Sequence, residues 1–182
     1  MNVSPLRYAV VLGLDEFASA AVRQITQRVA TVAPESSISV ATVAPHVTLA
    51  ACRNLDVERF RPLLAELATR TPVIATTLAS LGVFASEQGV IFLAPTIAQQ
   101  LVELQLGILT RLQDLGAEVE RYWLPGQWVP HCTVALGVSR ELMSAAMGHA
   151  YDAFHPISAS LTQLSAFEIE SPRLLYAFDL SR

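Results

Sequence analysis

The chain has 182 residues, of which 52% are hydrophobic and 15% charged, and a formal net charge of −4. That length suits one domain or two small lobes sharing a core, and the composition carries no signature of disorder. The negative charge excludes a long basic groove for nucleic acid. All twelve basic residues are arginine, which also excludes adenylyl-lysine ligases, Schiff-base enzymes and Walker-A NTPases, whose chemistry needs a lysine.

The mean hydropathy of +0.42 is high, yet no apolar run reaches the roughly 18–20 residues of a membrane span. The opening MNVSPLRYAVVLGLDEF holds one arginine and a short apolar run cut by Asp15 and Glu16. It reads as a first strand, not a signal peptide, and the expected location is cytoplasmic. Two cysteines, with no Cys–X–X–Cys, are too few for a disulfide scaffold.

In chain order, the β-branched run at 7–14 predicts a buried strand. Asp15 caps a helix to about Val32, with Ala18, Ala21, Val22, Ile25 and Val29 on one face. After a loop at 33–37, the stretch 37–51 is strand-like, with Pro45 interrupting or starting a segment. A turn at 54–56 leads to a helix over 57–69, whose apolar face is Phe60, Leu63, Leu64 and Leu67. Residues 72–83 and 89–93 read as two strands around the SEQG turn at 86–89.

The second half repeats the order. A helix over 96–115 presents Leu101, Leu104, Ile108 and Leu112, and Gly116 stops it. A short segment and the LPGQW turn precede the strand VPHCTVALGV, and a helix over 140–154 follows. Strands at 157–169 and 174–180 finish the chain. The expected fold is α+β: one domain over 1–182 with two similar lobes, roughly 1–94 and 95–182, and mostly antiparallel sheets. The first strand is free to exchange between the halves.

Two segments carry the chemistry. PHVTLA (45–50) and PHCTVAL (130–136) repeat Pro–His–X–Thr, each running into an apolar stretch. On alternating strands, His46, Thr48 and Ala50 share one face, and His131, Thr133 and Ala135 share another. Each copy therefore sets an imidazole and a hydroxyl roughly 7 Å apart on one surface. If the two strands lie side by side about a pseudo-twofold axis, two imidazoles flank a cavity with two hydroxyls near its floor. That set suits phosphodiester chemistry. One histidine takes a proton from the attacking water or hydroxyl and the other protonates the leaving oxygen. The threonines donate to the non-bridging oxygens. No metal is required.

With PHVTLA, WVPHCTVAL, the spacing between them and FASEQGVIFLAP (84–95), the chain resembles the 2H phosphoesterase superfamily of 2′-5′ RNA ligase-like proteins and cyclic phosphodiesterases. The resemblance spans nearly the whole chain. It implies a bilobal α+β fold with helices outside and a central cleft, metal- and cofactor-independent chemistry, and the catalytic tetrad His46, Thr48, His131 and Thr133. It implies substrates such as a 2′,3′-cyclic phosphate on a nucleotide or RNA end. The missing lysine and acidic balance favour a small nucleotide or short RNA end over long RNA. Two alternatives stand beside this: a non-catalytic nucleotide or RNA-end binding module, and an ATP-independent 2′-5′ RNA ligase.

Other residues are weaker candidates for substrate binding. Trp128, three residues before His131, either stacks on a base or packs between lobes, with packing slightly favoured. Tyr122, Trp123 and Phe84 are stacking candidates that also suit core or rim positions. Arg121 and Arg7 pair with a phosphate or are solvated, and Gln127 has the same two readings. Alternation points Cys132 away from His131, so it is expected to be packed; Cys52 faces the cleft rim or lies in a loop. His149 and His155 lack partners at zinc-ligand spacing. A monomer is expected.

Overall fold

The computed structural model describes residues 5–36, 44–84, 86 and 88–181. Strand β1 (Tyr8–Leu14) leads into α1 (Glu16–Ala30), where the Asp15 carboxylate accepts from the Ala18 N–H at 2.9 Å and satisfies one of the free amides of the first turn. Ala18, Val22, Ile25 and Val29 recur at helical spacing, and all are buried. Next come β2 (His46–Cys52) and α2 (Val57–Arg70), capped by Asp56 and burying Phe60, Leu64 and Ala68. Strands β3 (Ile74–Phe84) and β4 (Val90–Pro95) follow. The second half holds α3 (Gln99–Asp114), β5 (Cys132–Ala135), α4 (Arg140–Ala153), β6 (Ile157–Glu168) and β7 (Arg173–Asp179). This is the element order expected from the sequence.

Most boundaries agree to within about two residues, and the larger differences fall at α3 and β5. Helix α3 starts at Gln99, three residues later than expected, because Thr96 is held by β3. Its N–H donates to the Thr77 carbonyl at 2.8 Å, and its hydroxyl accepts from the Thr77 N–H at 3.1 Å. Strand β5 is only four residues long and His131 lies just before it. The part of the expected second strand at 37–43 lies outside the described residues.

Among the described residues the fold is α+β, with four α-helices and one seven-stranded antiparallel sheet. The strand order is β2-β1-β6-β3-β4-β5, with β7 also paired to β6. Strand β6 makes this possible by changing partners along its length. Residues 157–161 pair with β3, residues 161–168 pair with β1, and residues 163–168 pair with β7. Leu161 pairs with both Leu14 and Ile74, so β1 and β3 lie on opposite edges there. Strand β7 takes the edge that β3 has left.

Helices α2 and α3 pack together over β2 and β7, and α1 and α4 pack together over β5. Leu101, Ile108 and Leu112 of α3 are fully buried, and each such side chain contributes about 1.5–3 kcal/mol relative to exposure. The sheet curls enough that β2 and β5, at the two ends of the order, pack against each other. The motif strands thus meet as sheet ends, not as hydrogen-bonded neighbours. No helix among the described residues is long and apolar enough to cross a membrane.

Candidate functional site

The two Pro–His–X–Thr segments have the same local geometry. His46 Nδ1 lies 2.8 Å from the Ala44 carbonyl oxygen, and His131 Nδ1 lies 2.7 Å from that of Val129. In each case the acceptor is two residues back, with the proline between. Proline confines the residue before it to extended conformations, which fixes the position of that carbonyl. A carbonyl can only accept, so Nδ1 carries the proton and donates. The neutral ring then leaves Nε2 as its free proton acceptor.

The second shared feature is a bulge. Val10 pairs with Ala50 and Val11 with Thr48, so Leu49 is an extra residue in β2. Ile91 pairs with Ala135 and Phe92 with Thr133, so Val134 is the extra residue in β5. Both bulges fall immediately after the threonine. A bulge reverses the alternation beyond it, and this corrects the expected facing of the alanines. Ala50 and Ala135 join the core with Val47, Leu49, Cys132 and Val134, whereas the histidines and threonines stay half-buried. Cys52, expected at a cleft rim or in a loop, is in β2 and buried in the core for the same reason.

The two segments touch. The backbone N–H of His46 faces the Cys132 thiol, and the charge of His131 acts on His46. Strand β2 has β1 on one edge only, so its outward carbonyls need other partners. The Trp128 indole N–H donates to the Thr48 carbonyl at 3.0 Å. The amide of Gln105, only 2% exposed, donates to the Leu49 carbonyl at 3.3 Å and to the Trp123 carbonyl at 2.7 Å. Gln105 was not singled out from the sequence. Its signal was a polar residue on an otherwise apolar helix face, between Leu101, Leu104 and Ile108.

Both imidazoles are held below the ordinary value of 6.5, mainly because the surrounding protein strips water from them. The charge of His131 depresses His46 further. The carbonyls of Ala44 and Val129 oppose the shift, since they favour the protonated ring. Burial pushes both thiols up to about 12, so neither Cys52 nor Cys132 supplies a thiolate near neutral pH. Neither threonine hydroxyl has a hydrogen-bond partner among the described residues, which leaves both available as donors to a ligand.

Of the other expected residues, Trp128 packs partly buried against the core and braces β2. Phe84 is half-buried and meets the His131 ring edge-on at 4.9 Å. Arg121 and Tyr122 lie exposed in a one-turn 3-10 helix and engage each other. The guanidinium sits 4.9 Å from the ring centroid and donates to the phenol oxygen at 2.9 Å. Arg7 pairs with Glu168 at 3.2 Å. His149 faces Thr31 between the α1 and α4 ends. Among the described residues, no three His, Cys, Asp or Glu side chains stand where they could hold a metal ion.

The chain as a whole resembles known proteins. A profile described as the 2′-5′ RNA ligase superfamily matches residues 14–172. The fold is similar to that of TT0787 of Thermus thermophilus, with a TM-score of 0.63 at 17% identity, covering 96% of this chain and 97% of that one. Escherichia coli LigT solved with 3′-AMP gives 0.57 at 17% identity, covering 98% and 100%. Usb1 of Kluyveromyces marxianus gives 0.53 at 13% identity, covering 97% of each chain. None of the curated proteins compared matches the sequence. At these identities the structural likeness speaks for the fold alone, whereas the profile spans most of the chain. The chain belongs to the 2′-5′ RNA ligase superfamily of 2H phosphoesterases.

Proposed function

We propose that the chain is a metal-independent phosphodiesterase that opens a 2′,3′-cyclic phosphate, or a related ester on a nucleotide or RNA end, by two-histidine acid/base catalysis. The observation that carries this reading is the matched cradle. Each histidine donates Nδ1–H to the carbonyl two residues back, which frees both Nε2 atoms for proton transfer.

Water attacks phosphorus as one Nε2 takes its proton. The bond from phosphorus to the 2′ or 3′ oxygen breaks, and the other imidazolium gives its Nε2 proton to that oxygen. Thr48 and Thr133 donate to the non-bridging oxygens, where charge builds in the transition state. Both rings lie below their ordinary value in the free protein. An anionic phosphate between them favours the protonated form of one, so the acid is formed when substrate is bound.

The two motif segments, carried by the two ends of the one curled sheet, are the two lobes of this site, and the cleft lies between them. LigT has been solved with 3′-AMP, with ATP and with NADP+, which supports a nucleotide as ligand. With a net charge of −4 and no lysine, a small nucleotide or short RNA end is the preferred substrate. Arg121 and Tyr122 meet it at the rim.

The test is hydrolysis of 2′,3′-cyclic mononucleotides in EDTA, comparing the wild type with His46→Ala and His131→Ala. Turnover abolished in both variants supports the reading. Binding that survives either change, without turnover in any form, would favour a binding module instead.

A further inference from the structure

The two histidines share a cradle but not a neighbourhood. Phe84 and Phe92 stack at 4.3 Å with 27° between their planes. His131 meets the edge of this pair, 4.9 Å from Phe84 at 82° and 5.4 Å from Phe92 at 59°. No aromatic ring lies against His46 among the described residues.

The pair is itself fixed by packing. Phe92 stands opposite Gly82 on β3 and opposite Thr133 on β5. Its ring covers Gly82 so closely that a Cβ there would lie 2.5 Å from Cζ and 2.7 Å from Cε2. An aromatic ring laid across a cross-strand glycine fills the missing side-chain volume and restricts the ring. Phe92 is 8% exposed, so the ring is held within the packing. Edge-to-face contacts between rings are favourable and directional, so the rings restrain the plane of the imidazole, which its backbone hydrogen bond holds at one atom only.

We propose that Phe92, with Phe84, is a positioning clamp for His131 that has no counterpart at His46, and that it holds the His131 ring plane and shuts water from one side of it. This rests on the acid/base reading above. Phe84, read from the sequence as either a stacking residue or a core or rim residue, then acts through the histidine. No acidic or basic side chain accounts for the depression of His131. Loss of water is its cause, opposed by the Val129 carbonyl, as shielding by two rings would produce.

The test is imidazole NMR of the free protein with steady-state kinetics on a 2′,3′-cyclic mononucleotide, using Phe92→Leu, Phe92→Tyr, Phe84→Leu and Gly82→Ala. In Phe92→Leu the His131 midpoint is expected to rise toward its ordinary value while that of His46, which the charge of His131 depresses, does not rise. kcat is expected to fall by about 10- to 100-fold, because small misplacements of a reacting group cost that much, with KM little changed. Phe92→Tyr keeps the ring and both readouts. Gly82→Ala displaces the ring without removing it and shifts the His131 signals alone. Phe84→Leu, at a half-buried position, tests the clamp should Phe92→Leu fail to fold. An unchanged His131 titration in both leucine variants overturns the proposal. So does a rise in KM with kcat unchanged, which marks the rings as substrate contacts. The NMR arm needs no turnover, so a wild type inactive on this substrate whose His131 responds would count against cyclic mononucleotides as substrates and leave the clamp standing.

Discussion

The indole N–H of Trp128 donates to the carbonyl oxygen of Thr48 across 3.0 Å, so the loop ahead of His131 is fastened to the strand that carries His46. Trp128→Phe keeps most of the ring and removes the donor. Loss of one such hydrogen bond is expected to cost about 0.5–1.5 kcal/mol, read as a lower urea midpoint at unchanged slope. kcat should fall with it, since the two histidines lose their common brace. A variant as stable as the wild type, with only KM raised, would mean that the ring stacks on the substrate.

Removal of either imidazole should stop the reaction without unfolding the chain. General acid/base groups supply about 10²–10⁴-fold in rate, so His46→Ala and His131→Ala should each lose at least that much in kcat. The double variant should be little worse than the poorer single one, because residues that act as a unit are not additive. Thr48→Val and Thr133→Val, which keep shape and remove the donor, should each lower kcat by about 10²-fold. EDTA should leave the wild type untouched. Activity lost to EDTA and restored by a divalent cation would remove the mechanism.

The order of elements was legible because helical and strand periodicities differ and most boundaries carry chemistry: Asp15 and Asp56 at helix starts, Gly116 at a helix end. The histidine pair was legible because Pro–His–X–Thr occurs twice. The bulges were not, for a simple reason. Leu49, Ala50, Ala51 and Cys52 are all apolar, so shifting the alternation by one leaves the pattern unchanged. The length of β5 was hidden too, since Val129 suits a strand but instead lends its carbonyl to His131. Which strands β6 would join depended on pairings far apart in sequence, on which local pattern is silent.

Gly89 closes the turn between β3 and β4 and is the tightest glycine in the fold. Its φ is +48°, and a Cβ would meet the Val138 carbonyl oxygen at 1.9 Å. The obstacle is backbone, which cannot rotate aside. Gly89→Ala adds left-handed strain of roughly 1–2 kcal/mol to the cost of moving the segment after β5, where Val138 N–H donates to the Gly89 carbonyl at 3.0 Å. A melting temperature lowered by about 4 °C or more is expected. An unchanged value would show that the two segments separate freely.

Stability should fall as the solution is acidified through the histidine range, before the carboxylates titrate. Both imidazoles are held below 6.5 in the folded chain, whereas in the unfolded chain they recover that ordinary value. Between the two values the unfolded state binds more protons, so stability rises with pH there. The contribution of the neutral rings is fully present above 6.5 and is lost as pH falls through their folded values. Glu120 and Glu168 are held below 4.5 by their arginine partners, so their own contribution is lost only in more acid solution. Urea midpoints between about pH 8 and pH 5 therefore isolate the histidines. The wild type should weaken across that span, and the double variant His46→Asn, His131→Asn should show a flatter profile. Equal slopes would mean that the rings keep their ordinary affinity for protons in the fold, and that the water around them is not excluded.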